Sequence, residues 1–281
     1  MHPKTLITAA ELQGLLSAGS PLVLLDCSFD LADPAAGERG HATGHLPGAQ
    51  YVHLDRDLAG VKSGRNGRHP LPDRADFAAR AGRWGIGPGV QVVAYDAQGG
   101  PYAARAWWLL QWLGHLQAAV LDGGTGAWLA AGGHLATDTP GAAPLPPYPA
   151  AAPAMPTIDA QALLARLSDV RIFDARAAER YRGDVEPLDA VAGHIPGAVN
   201  RFFKDNLLPD GRFKPAGQLR TEFTALGVAP GAAGVVQQCG SGVTACHNLL
   251  ALAHAGLGTS TLYPGSWSEW SSDASRPVAK G

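Results

Sequence analysis

The sequence predicts an α/β protein of two similar domains, each a mostly parallel sheet flanked by helices. Short apolar strands alternate with helical patterns along the chain, which is the signature of parallel sheets joined by crossover helices. Four blocks then recur in the same order in both halves. Val23-Leu24-Leu25-Asp26 returns as Arg171-Ile172-Phe173-Asp174, and Gly44-His45-Leu46-Pro47-Gly48-Ala49 as Gly193-His194-Ile195-Pro196-Gly197-Ala198. Val92-Val93-Ala94-Tyr95-Asp96 is matched by Val235-Val236-Gln237-Gln238-Cys239, and the block ending in Trp128 by the block ending in Trp267. Chance similarity would not preserve order, so the chain is an internal duplication.

Each predicted element follows from local chemistry. Helical runs are expected at Ala9–Ala18, Ala75–Trp84, Ala103–Leu113 and Ala160–Leu167, and after the second copy's last strand from Ala245 to Ala255. Between the halves the chain is crowded with Pro and Ala, from Pro140 through Pro144, Pro146, Pro147, Pro149 and Pro153 to Pro156. Such a stretch is stiff and extended, as a linker should be. The expected division is a first domain over residues 1–137, a linker over 138–157 and a second domain over 158–281. In parallel sheets functional loops sit at the carboxyl ends of strands. Asp26, Asp96, Asp174 and Cys239 all fall there.

At 281 residues, 46% hydrophobic and 16% charged, the chain has the material for two cores. A net charge of −2 speaks against nucleic-acid binding, which needs a basic face. No apolar run approaches the roughly 20 residues a membrane-spanning helix requires. The opening residues lack the basic-then-apolar layout of a signal peptide. Three cysteines, Cys27, Cys239 and Cys246, do not make a disulfide framework and suit a reducing compartment. A cytoplasmic protein is the expectation. The ten histidines show no metal-ligand spacing, and no metal or organic cofactor is expected.

One loop concentrates the chemistry. Cys239 stands where an apolar strand ends, and Gly240-Ser241-Gly242-Val243-Thr244 leads into a helix. Gly240 and Gly242 are expected to let the backbone curl through conformations that a β-carbon would forbid. Successive N–H groups and the helix dipole then form an anion-receiving bowl, a setting that favours thiolates. The first copy has Asp96 at this place. An aspartate would repel an anionic substrate and cannot carry transferable sulfur, so the first half is expected to be an inactive, structural copy.

These blocks, the Cys-Gly-Ser-Gly-Val-Thr-Ala loop and the closing Gly265-Ser266-Trp267-Ser268-Glu269-Trp270 resemble the tandem rhodanese-domain sulfurtransferases, in their 3-mercaptopyruvate branch. The resemblance covers both halves and implies two rhodanese-like domains. It implies that Cys239 attacks a donor's sulfur, becomes a persulfide, and passes the outer sulfur to a thiol or cyanide. A thioredoxin-like reductant is one acceptor of that kind. Gly240, Gly242, Val243 and Thr244 would line the persulfide's cradle. Thiosulfate enzymes of the family carry basic side chains just after the cysteine, whereas Gly240 and Ser241 are neutral. This favours 3-mercaptopyruvate as donor, with thiosulfate the alternative. By the same resemblance Ser241 would work with His45 of the first half, and an acidic third member could be Asp33 or Glu38. Arg180 matches the family's first substrate-binding arginine, whose planar fork suits a carboxylate. The family's second arginine falls at Asp189, and Arg182 is the nearest replacement.

Two rivals differ in class. Cysteine-dependent phosphatases use a similar loop but need an arginine six residues after the cysteine, where this chain has Ala245. A non-catalytic binding module would not need an intact cysteine in an intact loop. Cys246 and Cys27 read as packing residues, His194 as a loop-holding histidine, the tryptophans as core, and Asp26 and Asp174 as acceptors of backbone hydrogen bonds.

Overall fold

The computed structural model describes residues 4–138 and 143–281. Residues 139–142, with Pro140 of the predicted linker, lie outside the described residues. The chain divides into two units. The first comprises residues up to Ala59, Pro72–Ala154 and Leu208–Phe213; the second comprises Gly60–Leu71, Met155–Leu207 and Lys214–Gly281. A single cut at residues 138–157 is therefore too simple, because each unit also takes a short segment from the other half of the chain.

The first unit runs β1 (Leu6–Ile7), α1 (Ala9–Ser17), β2 (Leu22–Asp26), α2 (Ala36–Thr43), β3 (Gln50–Tyr51), α3 (Leu54–Asp57), α4 (Arg74–Arg83), β4 (Gln91–Tyr95), α5 (Pro101–Leu113), β5 (Ala118–Leu121) and α6 (Gly124–Ala130). Its five strands pair in the order β1-β5-β4-β2-β3, and every pair is parallel. α1 begins where Thr8 and Glu11 form a capping box. α4 begins where the Asp73 carboxylate accepts from Ala75 and Asp76 N–H. α5 starts with Pro101 and ends at Gly114 in a left-handed conformation.

The second unit runs α7 (Ala160–Leu164), β6 (Arg171–Asp174), α8 (Ala178–Arg182), β7 (Val199–Asn200), a 3-10 turn (Phe203–Asn206), α9 (Ala216–Ala225), β8 (Val235–Gln238), α10 (Thr244–His254), β9 (Thr261–Leu262) and α11 (Ser266–Trp270). Its four strands pair in the order β7-β6-β8-β9, again all parallel. α7 is shorter than its apolar pattern suggests, because the chain turns from Ala165 onward. One core joins Ile172 and Val236 of the sheet to Ile195, Trp267 and Trp270. The equivalent core of the first unit joins Leu24 and Val93 to Leu46 and Trp128. The duplicated blocks are thus the cores and strand ends of two copies of one architecture.

The Pro/Ala-rich stretch is more than a spacer. Leu145 and Tyr148 donate to the carbonyls of Gly82 and Ala78 on α4, and Ala151 donates to Leu113 at the end of α5. α4 has a glycine where the segment comes closest: a β-carbon on Gly82 would lie 2.3 Å from the Pro146 carbonyl oxygen. An extended Pro-rich chain cannot satisfy its own N–H groups, so it lays three of them against helix carbonyls of its own unit.

Candidate active site

β8 lies inside its sheet, between β6 and β9, with all four residues buried. Its carboxyl end delivers Cys239 into a loop buckled to the start of α11. The Cys239 and Gly240 carbonyls accept from Trp267 and Ser268 N–H, both at 2.9 Å, and Cys239 N–H donates to Ser266 Oγ at 3.1 Å. Within the loop Ser241 N–H points at Cys239 Sγ, 3.5 Å away. This is the first donor of the expected bowl, and Val243 and Thr244 carry the loop into α10. The two loop glycines serve different ends. Gly242 has φ +76°, and a β-carbon there would lie 2.3 Å from the Pro264 carbonyl oxygen. Gly240 has no positive φ. What crowds Gly240 is two guanidinium groups: a β-carbon would lie 2.9 Å from Arg68 Nη2 and 3.5 Å from Arg180 Nη1.

Ser241 is buried, and its hydroxyl lies 2.7 Å from Nδ1 of His69, which is buried too. The imidazole that serves Ser241 is therefore His69 and not His45. The His45 ring is committed within the first unit: Nδ1 lies 2.8 Å from the His41 carbonyl, Nε2 faces Asp138 at 3.5 Å, and the ring stacks on His41. Its copy does the same, with His194 Nδ1 2.8 Å from the Tyr181 carbonyl and its ring stacked on Tyr181. Both histidines also exchange backbone hydrogen bonds with a later strand-like segment, at Ala136 and Ala279 respectively. The shared histidine is a structural device common to both copies. Neither acidic candidate joins Ser241: Asp33 pairs with Arg39, and Glu38 with Arg56, all on exposed side chains.

α8 positions Arg180 beside the loop. Its Nε and Nη2 bind both oxygens of Glu186, at 3.3 and 2.6 Å. Burial opposes the charge on Glu186, but Arg180, the Leu188 N–H and Arg176 together hold its carboxyl below the ordinary value. Asp189 bridges onward, pairing with Arg68 and lying 3.5 Å from Arg180 Nη2. Arg182 points away and pairs with Asp184 on exposed side chains, so it does not replace a second arginine. His69 and Arg68 both escaped the sequence reading. They belong to Gly60–Leu71, a segment with neither periodicity nor a counterpart motif in the second half. The available signal was its length, since long structureless segments inside compact domains are commonly functional. Among the described residues no group of three or more His, Cys, Asp or Glu is placed to hold a metal ion.

The chain matches the Rhodanese-like domain family twice, over residues 8–131 and 159–273. The chain belongs to the rhodanese family, in its tandem-domain sulfurtransferase branch. It is 49% identical to a Pseudomonas aeruginosa protein named as a probable 3-mercaptopyruvate sulfurtransferase, with all of both chains covered. It is 42% identical to a Mycobacterium tuberculosis protein provisionally named as a thiosulfate sulfurtransferase, over 99% of this chain and 98% of that one. Among solved structures, 3-mercaptopyruvate sulfurtransferase from Leishmania major aligns with a TM-score of 0.86 at 30% identity, covering 99% of this chain and 77% of that one.

In this rhodanese tandem the first copy has closed its own cradle. Asp96 follows β4 as Cys239 follows β8, and its carboxylate accepts from the N–H groups of Gln98, Gly100, Tyr102 and Ala103 at 2.8–3.0 Å. Burial pushes the Asp96 carboxyl above its ordinary value, and the four donors pull against that push. The aspartate thus does more than repel a substrate anion, because its own side chain fills the place and takes up the loop's N–H groups. Gln98 donates to Asp96 as Ser241 donates to Cys239, two residues on in each copy. Asp26 and Asp174 accept from the N–H of Ser28 and Arg176, as their strand-end positions suggest. Cys246 is buried with Sγ 3.4 Å from the Gly242 carbonyl, and burial pushes the Cys27 thiol well up.

Proposed function

We propose that this sulfurtransferase takes sulfur from 3-mercaptopyruvate and passes it to a thiol or to cyanide through a persulfide on Cys239. The observation that carries the choice of donor is the buried Ser241–His69 pair next to the cysteine. A keto acid's carbonyl needs a hydroxyl to polarise it and an imidazole to move a proton, whereas thiosulfate needs neither.

The Cys239 thiolate attacks the donor's sulfur. The new S–S bond forms as the C–S bond breaks, and the electron pair passes to the enolate of pyruvate. The proton given up by the Cys239 thiol returns to that enolate carbon by way of Ser241 and His69, so the step yields pyruvate and the cysteine persulfide. Proton relay by a positioned imidazole is general acid–base chemistry. The N–H of Ser241 faces the Cys239 sulfur, which bears negative charge as the attacking thiolate and again when the acceptor takes the outer sulfur. The acceptor thiol then attacks the outer sulfur, leaving as its own persulfide and restoring the Cys239 thiol. Cyanide would leave as thiocyanate. Arg180 grips the donor's carboxylate. Thiosulfate is the second reading, favoured by the name of the Mycobacterium tuberculosis relative. A thioredoxin-like acceptor and a reducing, cytoplasmic setting are consistent with three free, buried cysteines.

The test is cyanide-dependent thiocyanate formation from each donor. Wild type should prefer mercaptopyruvate, and Cys239→Ala should lose turnover with both. Activity surviving in Cys239→Ala would overturn the mechanism; a strong thiosulfate preference would overturn only the donor.

A further inference from the structure

We infer that Arg68 is the second carboxylate-binding arginine of this site, replacing the one whose sequence position is taken by Asp189. The inference rests on the keto-acid reading above and specifies how that substrate is held. Arg68 and Arg180 approach the loop from two different chain segments, yet both converge on the space above Gly240. Each fork is anchored at one edge and open at another. Arg180 uses Nε and Nη2 on Glu186 and turns Nη1 to Gly240, while Arg68 uses Nη1 on Asp189 and turns Nη2 to Gly240.

Asp189 makes this arrangement possible. Two guanidinium groups at such close range repel each other, and the buried Asp189 carboxylate between them offsets the repulsion while fixing one edge of Arg68, as Glu186 fixes one edge of Arg180. Its backbone is fixed as well, since Asp189 N–H donates to Glu186 Oε1 at 3.2 Å. Both arginine side chains keep some exposure, 27% for Arg68 and 18% for Arg180, so a small anion can reach them. A carboxylate above Gly240 would take one N–H from each arginine. Its keto group would then fall to Ser241 and its sulfur to Cys239, the residues flanking Gly240. The missing arginine is thus moved to the opposite partner of the same ion pair: an acid at 189 and a base at 68.

Steady-state kinetics with mercaptopyruvate tests this in the intact chain. Arg68→Ala should raise KM by roughly tenfold or more while kcat changes by less than about threefold, since a ground-state grip on the carboxylate is lost. Arg68→Lys, which keeps the charge but loses the fork, should fall between the two and melt with wild type. The reversed pair, Arg68→Asp with Asp189→Arg, should restore KM to within about threefold of wild type, although Arg68→Asp alone is worse than Arg68→Ala. An Arg68 that only props Asp189 would show equal effects for Arg68→Ala and Asp189→Asn and no rescue on reversal. That result, or an unchanged KM in Arg68→Ala, overturns the inference. A wild type that does not turn over mercaptopyruvate overturns the keto-acid reading instead.

Discussion

Ser241 shows what the site asks of single residues. A buried hydroxyl needs a partner, and a hydroxyl 2.7 Å from a buried imidazole can pass a proton as well as hold one. His69→Ala should therefore lower kcat/KM by roughly 100-fold, the usual scale of a lost proton relay. His45→Ala should instead cost about 1–2 kcal/mol of stability, for a lost hydrogen bond and stacked ring, and leave kcat within about twofold. Kinetics and thermal melts of the two variants check this, and an equal fall in kcat/KM for His45→Ala would overturn the assignment. The same contrast explains what the sequence revealed at this scale. Cys239, Ser241 and Gly242 were legible because one short loop carries them all. His69 was not, because it reaches Ser241 from 172 residues away and its own segment has no pattern to announce it. The histidine that was legible, His45, stands out for a structural reason that its copy His194 shares.

Elements were legible wherever a strand end or a cap dictated them, and less so where docking decides. α9 illustrates the second kind. Pro215 gives it no side-chain cap, and it buries only Leu219 and Phe223. What fixes it is Glu222, whose carboxylate binds Arg201 at 2.6 Å, Lys214 at 2.9 Å and Gln218 at 2.9 Å. Burial works against the charge, but Lys214, Arg201 and Gln218 outweigh it and lower the Glu222 carboxyl from 4.5 to about 2. A depressed carboxyl stabilises the fold above its unfolded pKa and ceases to do so as the pH falls through the folded one. The Glu222 contribution should be fully present above about pH 5 and lost progressively towards pH 2. Glu222→Gln should cost about 2 kcal/mol at pH 7, with the two proteins converging near pH 2. Denaturant melts across that range test it. A difference independent of pH would show that the ionised Glu222 carboxylate is not what stabilises α9. The Pro-rich stretch belongs with α9, since its composition predicted an extended chain but not the carbonyls on α4 and α5 that it pairs with.

At the scale of the molecule, duplication was plain in the sequence, and so was Asp96 where the second copy has Cys239. What sequence comparison could not supply is which unit each segment joins. Strand and helix patterns are local, whereas Gly60–Leu71 has no element of its own and is tied down by distant partners as well as by local turns. Arg68 N–H donates to Ser268 Oγ at 3.0 Å, and a β-carbon on Gly67 would lie 2.7 Å from the Gly265 carbonyl oxygen. The second unit thus borrows both its imidazole and one of its guanidinium groups from the first half of the chain. On the roles proposed for His69 and Arg68, the first half of the chain supplies more than packing. A fragment of residues 155–281 keeps Cys239, Ser241 and Arg180 but lacks His69 and Arg68. It should lose at least roughly 100-fold in kcat/KM with mercaptopyruvate, the cost of the missing proton relay before any loss of binding. Far-UV circular dichroism reports whether the fragment folds, and stoichiometric labelling of Cys239 whether its nucleophile remains. A folded fragment with mercaptopyruvate turnover within tenfold of the intact chain would mean that the Gly60–Leu71 segment serves stability alone.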